Sequence, residues 1–152
     1  MFKKCKTILD VGCGNRDWSK YLEKKGFRVW STDINHTCNG VIEDDIHESQ
    51  FESNSFDGIF CNGVFEHSLA PFIMLCEMNR LLKNGGELFI NMPLDTNKKM
   101  SALPQHINIH SYDSAKNLFD KTKFKIKNDI VFFDKINEQH LIFLLEKTGD
   151  ME

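Results

Sequence analysis

Ile8-Leu9-Asp10-Val11-Gly12-Cys13-Gly14-Asn15, an apolar run closed by two glycines, is the stretch whose reading decides the fold. Thr7 to Val11 is short and apolar, as a buried strand is, and the glycines that follow let the backbone turn tightly and approach a ligand. A helical pattern begins almost at once. From Asp17 to Lys25 the residues Trp18, Tyr21 and Leu22 fall at i, i+3 and i+4, and Gly26 stops the run. Strand, glycine loop and helix in that order leave free backbone N–H groups at a helix N-terminus, facing whatever binds above the strand.

Working outward, the same alternation continues. Phe27 to Thr32 reads as a second strand with Asp33 at its end, and Val41-Ile42 begins a short third that runs into Glu43-Asp44-Asp45. Phe56 to Cys61 is a fourth strand after the turn-like Ser53-Asn54-Ser55. A helix is predicted over Pro71–Lys83, with proline suited to its first turn and Met74, Met78, Leu81 and Leu82 as a core stripe. Asn84-Gly85-Gly86 ends it, and Glu87 to Met92 is a fifth strand. A polar loop from Leu94 to His110 leads to a helix over Tyr112–Lys121, capped by Ser111. Phe124–Phe133 and Gln139–Glu146 form a terminal antiparallel pair around Asp134-Lys135-Ile136-Asn137. Alternation of this kind predicts an α/β fold, a doubly wound and mainly parallel seven-stranded sheet, in a single domain over 1–152.

Composition sets the bounds. The chain has 152 residues, 41% hydrophobic and 27% charged, as soluble domains have. A net charge of −3 gives no electrostatic reason to expect nucleic acid or an anionic membrane as partner. Asp10 interrupts the only early apolar run, so a secretory leader is not expected, and no stretch approaches the roughly 18 apolar residues of a membrane span. Cys5, Cys13, Cys38, Cys61 and Cys76 are odd in number and form no CxxC pair, which points to reduced thiols, a cytoplasmic setting and no zinc site.

The chemistry begins at Asp33. A carboxylate at the end of the second strand is placed to accept hydrogen bonds from both hydroxyls of a ribose. A dinucleotide fingerprint would need a third glycine where this chain has Asp17, a negative charge aimed at the pyrophosphate. That opposes a nicotinamide-dependent oxidoreductase, as does Asn84-Gly85-Gly86. S-adenosylmethionine, which has no phosphate and carries cationic sulfonium and ammonium groups, tolerates such acids.

Four segments then carry a family likeness. Ile8 to Gly14 resembles the first motif of class I S-adenosylmethionine-dependent methyltransferases. Asp45-Ile46 resembles the acid that reaches the adenine amino group. Phe56-Asp57-Gly58-Ile59-Phe60-Cys61-Asn62 is similar to the fourth-strand motif, and Asn79 to Leu88 to the helix end and fifth-strand start. The resemblance runs in order from Thr7 to about Pro93. It implies a Rossmann-like fold, S-adenosyl-L-methionine as cofactor, and transfer of its methyl group to an oxygen, nitrogen or carbon nucleophile of a small-molecule acceptor. It further implies that Gly12, Cys13 and Gly14 meet the methionine part, with Asp10 bracing the loop. Asp33 with Ile34 would hold the ribose side, Asp45 and Ile46 would meet the adenine, and Asn62 and Gly63 would line the methyl-donor end. Asp44 takes the place of Asp45 if the register slips by one residue.

Departures from the pattern matter as well. Arg16 stands where a third glycine of the loop is often found. The stretch before Thr7 is too short for the usual leading helix, and that between Asp33 and Val41 too short for a normal second one. Some flanking helices are therefore missing, all from one sheet face. Such a face would be bare over the first three strands and would suit a homodimer or partner subunit. The alternative function is accordingly a catalytically weak, methyltransferase-like binding subunit.

His67, in Phe65-Glu66-His67-Ser68 just beyond the fourth strand, is the candidate general base or substrate contact. His106 is a second candidate substrate contact in the long loop. No metal is expected from the pair His106 and His110, because the intervening pattern is not the helix that would align them.

Overall fold

Short apolar runs made strands and amphipathic runs made helices, in the order expected. The strands are β1 (Thr7–Val11), β2 (Arg28–Asp33), β3 (Val41–Glu43), β4 (Phe56–Asn62), β5 (Leu82–Pro93), β6 (Phe124–Phe133) and β7 (Gln139–Lys147). The helices are α1 (Asp17–Lys24), α2 (Pro71–Leu81) and α3 (Tyr112–Lys121), with a 3₁₀ turn at Phe65–His67. The computed structural model describes residues 2, 5–35, 38–94, 103–133 and 139–151. Residues 95–102, the first half of the polar loop after Leu94, and the turn expected at Asp134–Asn137 lie outside the described residues.

One seven-stranded sheet results, in the order β3-β2-β1-β4-β5-β7-β6. The first five strands pair in parallel, while β7 runs antiparallel between β5 and β6. Strand order reverses between β1 and β4, and in doubly wound sheets ligands bind at the carboxyl ends of the strands beside such a reversal.

Alternate side chains feed two cores. Leu9, Val11, Ile59, Cys61, Leu88, Ile90 and Phe143 face α2 and α3, which supply Met74, Met78, Leu81 and Phe119. The opposite face holds a smaller cluster of Phe2, Ile8, Leu22 and Phe60. Among the described residues its cover is thin. Trp18 and Tyr21, which share a helix face with Leu22, stay 48% and 47% exposed, and of the three only Leu22 is enclosed. Among the described residues no second helix stands beside α1 to close over them, although Trp18 still leans on the Phe60 ring at 5.4 Å.

Two boundaries moved by more than one residue. The second helix ends at Leu81 and not at Lys83, and β5 starts at Leu82 and not at Glu87. Fully buried Leu82 pairs with Phe56, and the chain then turns through Gly85, at φ 73°, before Glu87 rejoins the ladder opposite Gly58. Ser111 caps α3 as expected, its Oγ accepting from the Ser114 N–H at 3.2 Å.

Candidate active site

A cleft of about 290 Å³ opens at the carboxyl ends of the parallel strands, beside the reversal of strand order. Val11 and Gly12 follow β1 into it; Asp33, Ile34 and Asn35 follow β2. Asp44, Asp45, Ile46 and His47 come from beyond β3, and Gly63, Val64, His67 and Ser68 from beyond β4. Each group enters because its strand ends there.

The glycine loop is held from both sides. Gly14 N–H donates to Asp33 Oδ2 at 3.0 Å and Asn35 N–H to Asp33 Oδ1 at 3.1 Å. Two backbone donors fix the carboxylate, and each of its oxygens keeps accepting capacity for a further bond. Gly12 has φ 63°, and a Cβ there would lie 2.4 Å from Val64 Cγ2. Only a glycine lets the β1 and β4 loops close on each other. Arg16 takes φ 63° as well, the left-handed conformation that glycine would adopt most easily. Its side chain bonds Ser31 Oγ at 2.9 Å and Glu23 at 2.7 Å, so the departure at this position keeps the turn.

Asp10 lies behind the loop, 2% exposed, accepting from Ser19 Oγ–H at 2.5 Å; Ser19 in turn accepts from Ser31. Burial pushes its carboxyl up to about 6 against the hydrogen bonds from Ser19. It braces α1 more than the loop itself. The Cys13 thiol is pushed up to about 12, by burial first and by Asp10 and Asp33 next, and stays protonated. Asn62 turns aside, its Oδ1 accepting from Asn91 on β5 at 2.9 Å.

Both candidate adenine acids border the cleft but differ in setting. Asp44 is buried and ties β3 to β2: its N–H donates to Asp33 O at 3.0 Å and its Oδ1 accepts from Gln50 N–H at 2.9 Å. Asp45 is exposed and accepts from the His47 N–H at 2.9 Å; the same oxygen lies 2.7 Å from His47 Nδ1. These bonds, the backbone one first, hold its carboxyl below the ordinary aspartate value. His47 Nε2 reaches Ser68 Oγ at 2.6 Å, linking the β3 and β4 sides. Sequence reasoning missed His47 and Ser68, because only the fold brings them together.

The family match follows this geometry: residues 2–128 match the profile of a methyltransferase domain. The chain belongs to that methyltransferase family. Among relatives, it is 31% identical over 137 residues to the tRNA U34 carboxymethyltransferase of Helicobacter hepaticus, covering 75% of this chain and 42% of that one. It is 30% identical over 102 residues to the ubiquinone biosynthesis O-methyltransferase of Coxiella burnetii, covering 58% and 44%. The chain therefore spans less than half the length of either. A SAM-dependent methyltransferase from Archaeoglobus fulgidus has the same fold, at TM-score 0.81 and 19% identity over 96% of this chain and 88% of that one.

The far end of this methyltransferase cleft is rich in histidine. His67 lines it, with Nδ1 2.9 Å from Gln105 O. The His106 ring packs edge-on against His67 at 4.8 Å between centroids. Both substrate-side candidates, from segments far apart in sequence, are thus brought together. Beneath them Glu66 is 4% exposed, and burial pushes its carboxyl up against opposing influences that include His67 and His106. Glu66 Oε2 and His106 Nδ1 are buried without a hydrogen-bond partner. Glu66 was not singled out in the sequence; the adjacent Glu-His pair was its only trace.

Proposed function

We propose that this chain binds S-adenosylmethionine and transfers its methyl group to a nucleophile presented beside His67. The observation that carries the reading is the arrangement around the cleft: a glycine that no Cβ could replace, a backbone-fixed acid at the end of β2 and a second acid beyond β3. In this reading Asp33 accepts from the ribose hydroxyls, and Asp45 with Ile46 meets the adenine; Asp44, whose Oδ1 accepts from Gln50 N–H and whose Oδ2 is buried without a partner, is the alternative acid. Gly12, Cys13 and Gly14 lie against the methionine part, with Gly63 at the methyl-donor end and Asn62 held back by Asn91. Ile34 and Ile46 offer apolar walls. When bound, the cofactor supplies an electrophilic methyl group on sulfonium.

The chain's own residues then have a modest task. They hold the nucleophile in line, exclude water and remove a proton, and orientation alone supplies much of the rate. With its Nδ1 engaged by Gln105 O, His67 presents Nε2 to the acceptor side and promotes loss of the acceptor's proton. His106 packs behind it. The acceptor is an oxygen, nitrogen or carbon nucleophile. That one relative is named for a tRNA and another for ubiquinone biosynthesis leaves the expected exclusion of nucleic acid without support.

Labelled cofactor incubated with metabolite pools and with RNA tests the activity and separates those acceptors. His67→Ala should lower turnover about 10²–10⁴-fold, as loss of an acid–base group does, with unchanged affinity for S-adenosylhomocysteine. Undiminished turnover would remove His67 from the chemistry. Absence of turnover in any pool, with cofactor binding intact, would favour the binding-subunit alternative.

A further inference from the structure

Three ligand-type side chains converge where the proposed acceptor enters. One ligand atom each of Glu66, His67 and His106 lies within 4.8 Å of the others. Tetrahedral coordination with bonds of about 2.0–2.1 Å requires separations of roughly 3.4 Å. A bound cation would draw the three atoms together from that spacing.

The hydrogen bonding around the cluster is what a cation site needs. His67 Nδ1 is tied to Gln105 O, the outer-shell bond that fixes a ligating imidazole and leaves Nε2 with its lone pair. His106 Nδ1 and Glu66 Oε2 are buried with no partner. A carboxylate oxygen and an imidazole nitrogen left unpaired in a protein interior each cost free energy that a bound cation would recover. The loop bearing His106 is clipped in place: Asn108 N–H donates to Glu66 O at 3.0 Å, and the Asn108 amide donates to Ser68 O. Glu66 Oε1 faces Gly63, 3.8 Å from where a Cβ would stand there, so the cluster adjoins the cleft.

We infer that Glu66, His67 and His106 form a divalent metal site that holds an oxygen-bearing acceptor at the methyl-donor end. Two imidazoles and one carboxylate suit zinc, cobalt or manganese better than magnesium or calcium, which prefer oxygen donors. Three protein ligands also leave positions open, as catalytic sites do. A hydroxyl bound at an open position ionises more readily and its proton leaves to solvent. The metal thus specifies how His67 promotes proton loss. For that purpose the inference rests on the proposed methyl transfer, but metal binding itself does not.

Cobalt(II), added to the reduced protein at neutral pH, is the probe. One equivalent should bind, with visible d–d absorption and no thiolate charge-transfer band, since five free cysteines are otherwise available. Glu66→Gln and His106→Ala should each weaken binding about 100-fold or more, beyond the roughly 10–100-fold cost of losing an outer-shell partner. His110→Ala should not. Circular dichroism checks that the variants fold, and if Glu66→Gln does not, His106→Ala alone decides. S-adenosylhomocysteine titrated into the same proteins keeps the two readings separate. Failure of cobalt to bind, binding through thiolate, or equal binding by His106→Ala would overturn the metal site. Loss of nucleoside binding alone would overturn the cofactor reading.

Discussion

Asp10 shows how much one buried side chain contributes to the behaviour of the whole. Its folded-state value of about 6 stands above the ordinary 3.8, so the folded chain holds this proton to higher pH than the unfolded chain does. The resulting stabilisation is fully present below pH about 3.8 and is lost as pH rises towards about 6. Asp10→Asn keeps an acceptor for Ser19 and removes the titration. Urea unfolding from pH 4 to 7 should show the variant gaining on the order of 3 kcal/mol relative to wild type across that range. Parallel stability curves would contradict the assignment. That Asp33, Asp45 and Gly12 border the cleft was legible in sequence, Asp33 and Gly12 from type and position after a strand and Asp45 from the family resemblance. Glu66 and His47 were not, because their roles depend on partners reached through space: His106 for one, Ser68 for the other.

At the scale of elements, the glycine loop is locked against the segment after β4. Gly12→Ala adds a left-handed alanine, a cost of about 1–2 kcal/mol, and drives its methyl into Val64. Thermal unfolding should therefore show a loss larger than that conformational cost. Placing Gly12→Ala in a Val64→Ala background should recover the steric part and leave the backbone part. A neutral Gly12→Ala would mean the two loops are not in contact. Element order and type were readable because the hydrophobic period switched cleanly between strand and helix. The end of α2 was not, since Leu82 is drawn out of the helix by pairing with Phe56, a contact no local pattern reports. Arg16 was read as a departure from the glycine loop, yet its backbone takes the glycine-like conformation.

For the molecule as a whole, the mainly parallel seven-stranded sheet and its terminal antiparallel pair were expected from strand count and alternation, whereas the strand order, with β7 inserted between β5 and β6, is seen only in the structure. The thin cover of one face was also foreseen, though its form was not. Phe2 packs edge-on against Phe27 and under the sheet at Gly58, enclosing part of that face, while Trp18 and Tyr21 remain half-exposed beside it. The motive for association on this side is thus narrower than a bare face over three strands. No helix among the described residues is long and apolar enough to cross a membrane. The proposed function makes this cleft, with its acids and glycine, the S-adenosylmethionine site beside the His67–His106 pair. Calorimetric titration of S-adenosylhomocysteine into the wild-type chain and into Asp33→Ala tests that claim most directly. One molecule should bind per wild-type chain, with a loss of roughly 2–3 kcal/mol in the variant, as for charge-assisted hydrogen bonds, part of it arising from release of Gly14 and Asn35. No binding to the wild type, or equal binding to both, would contradict it.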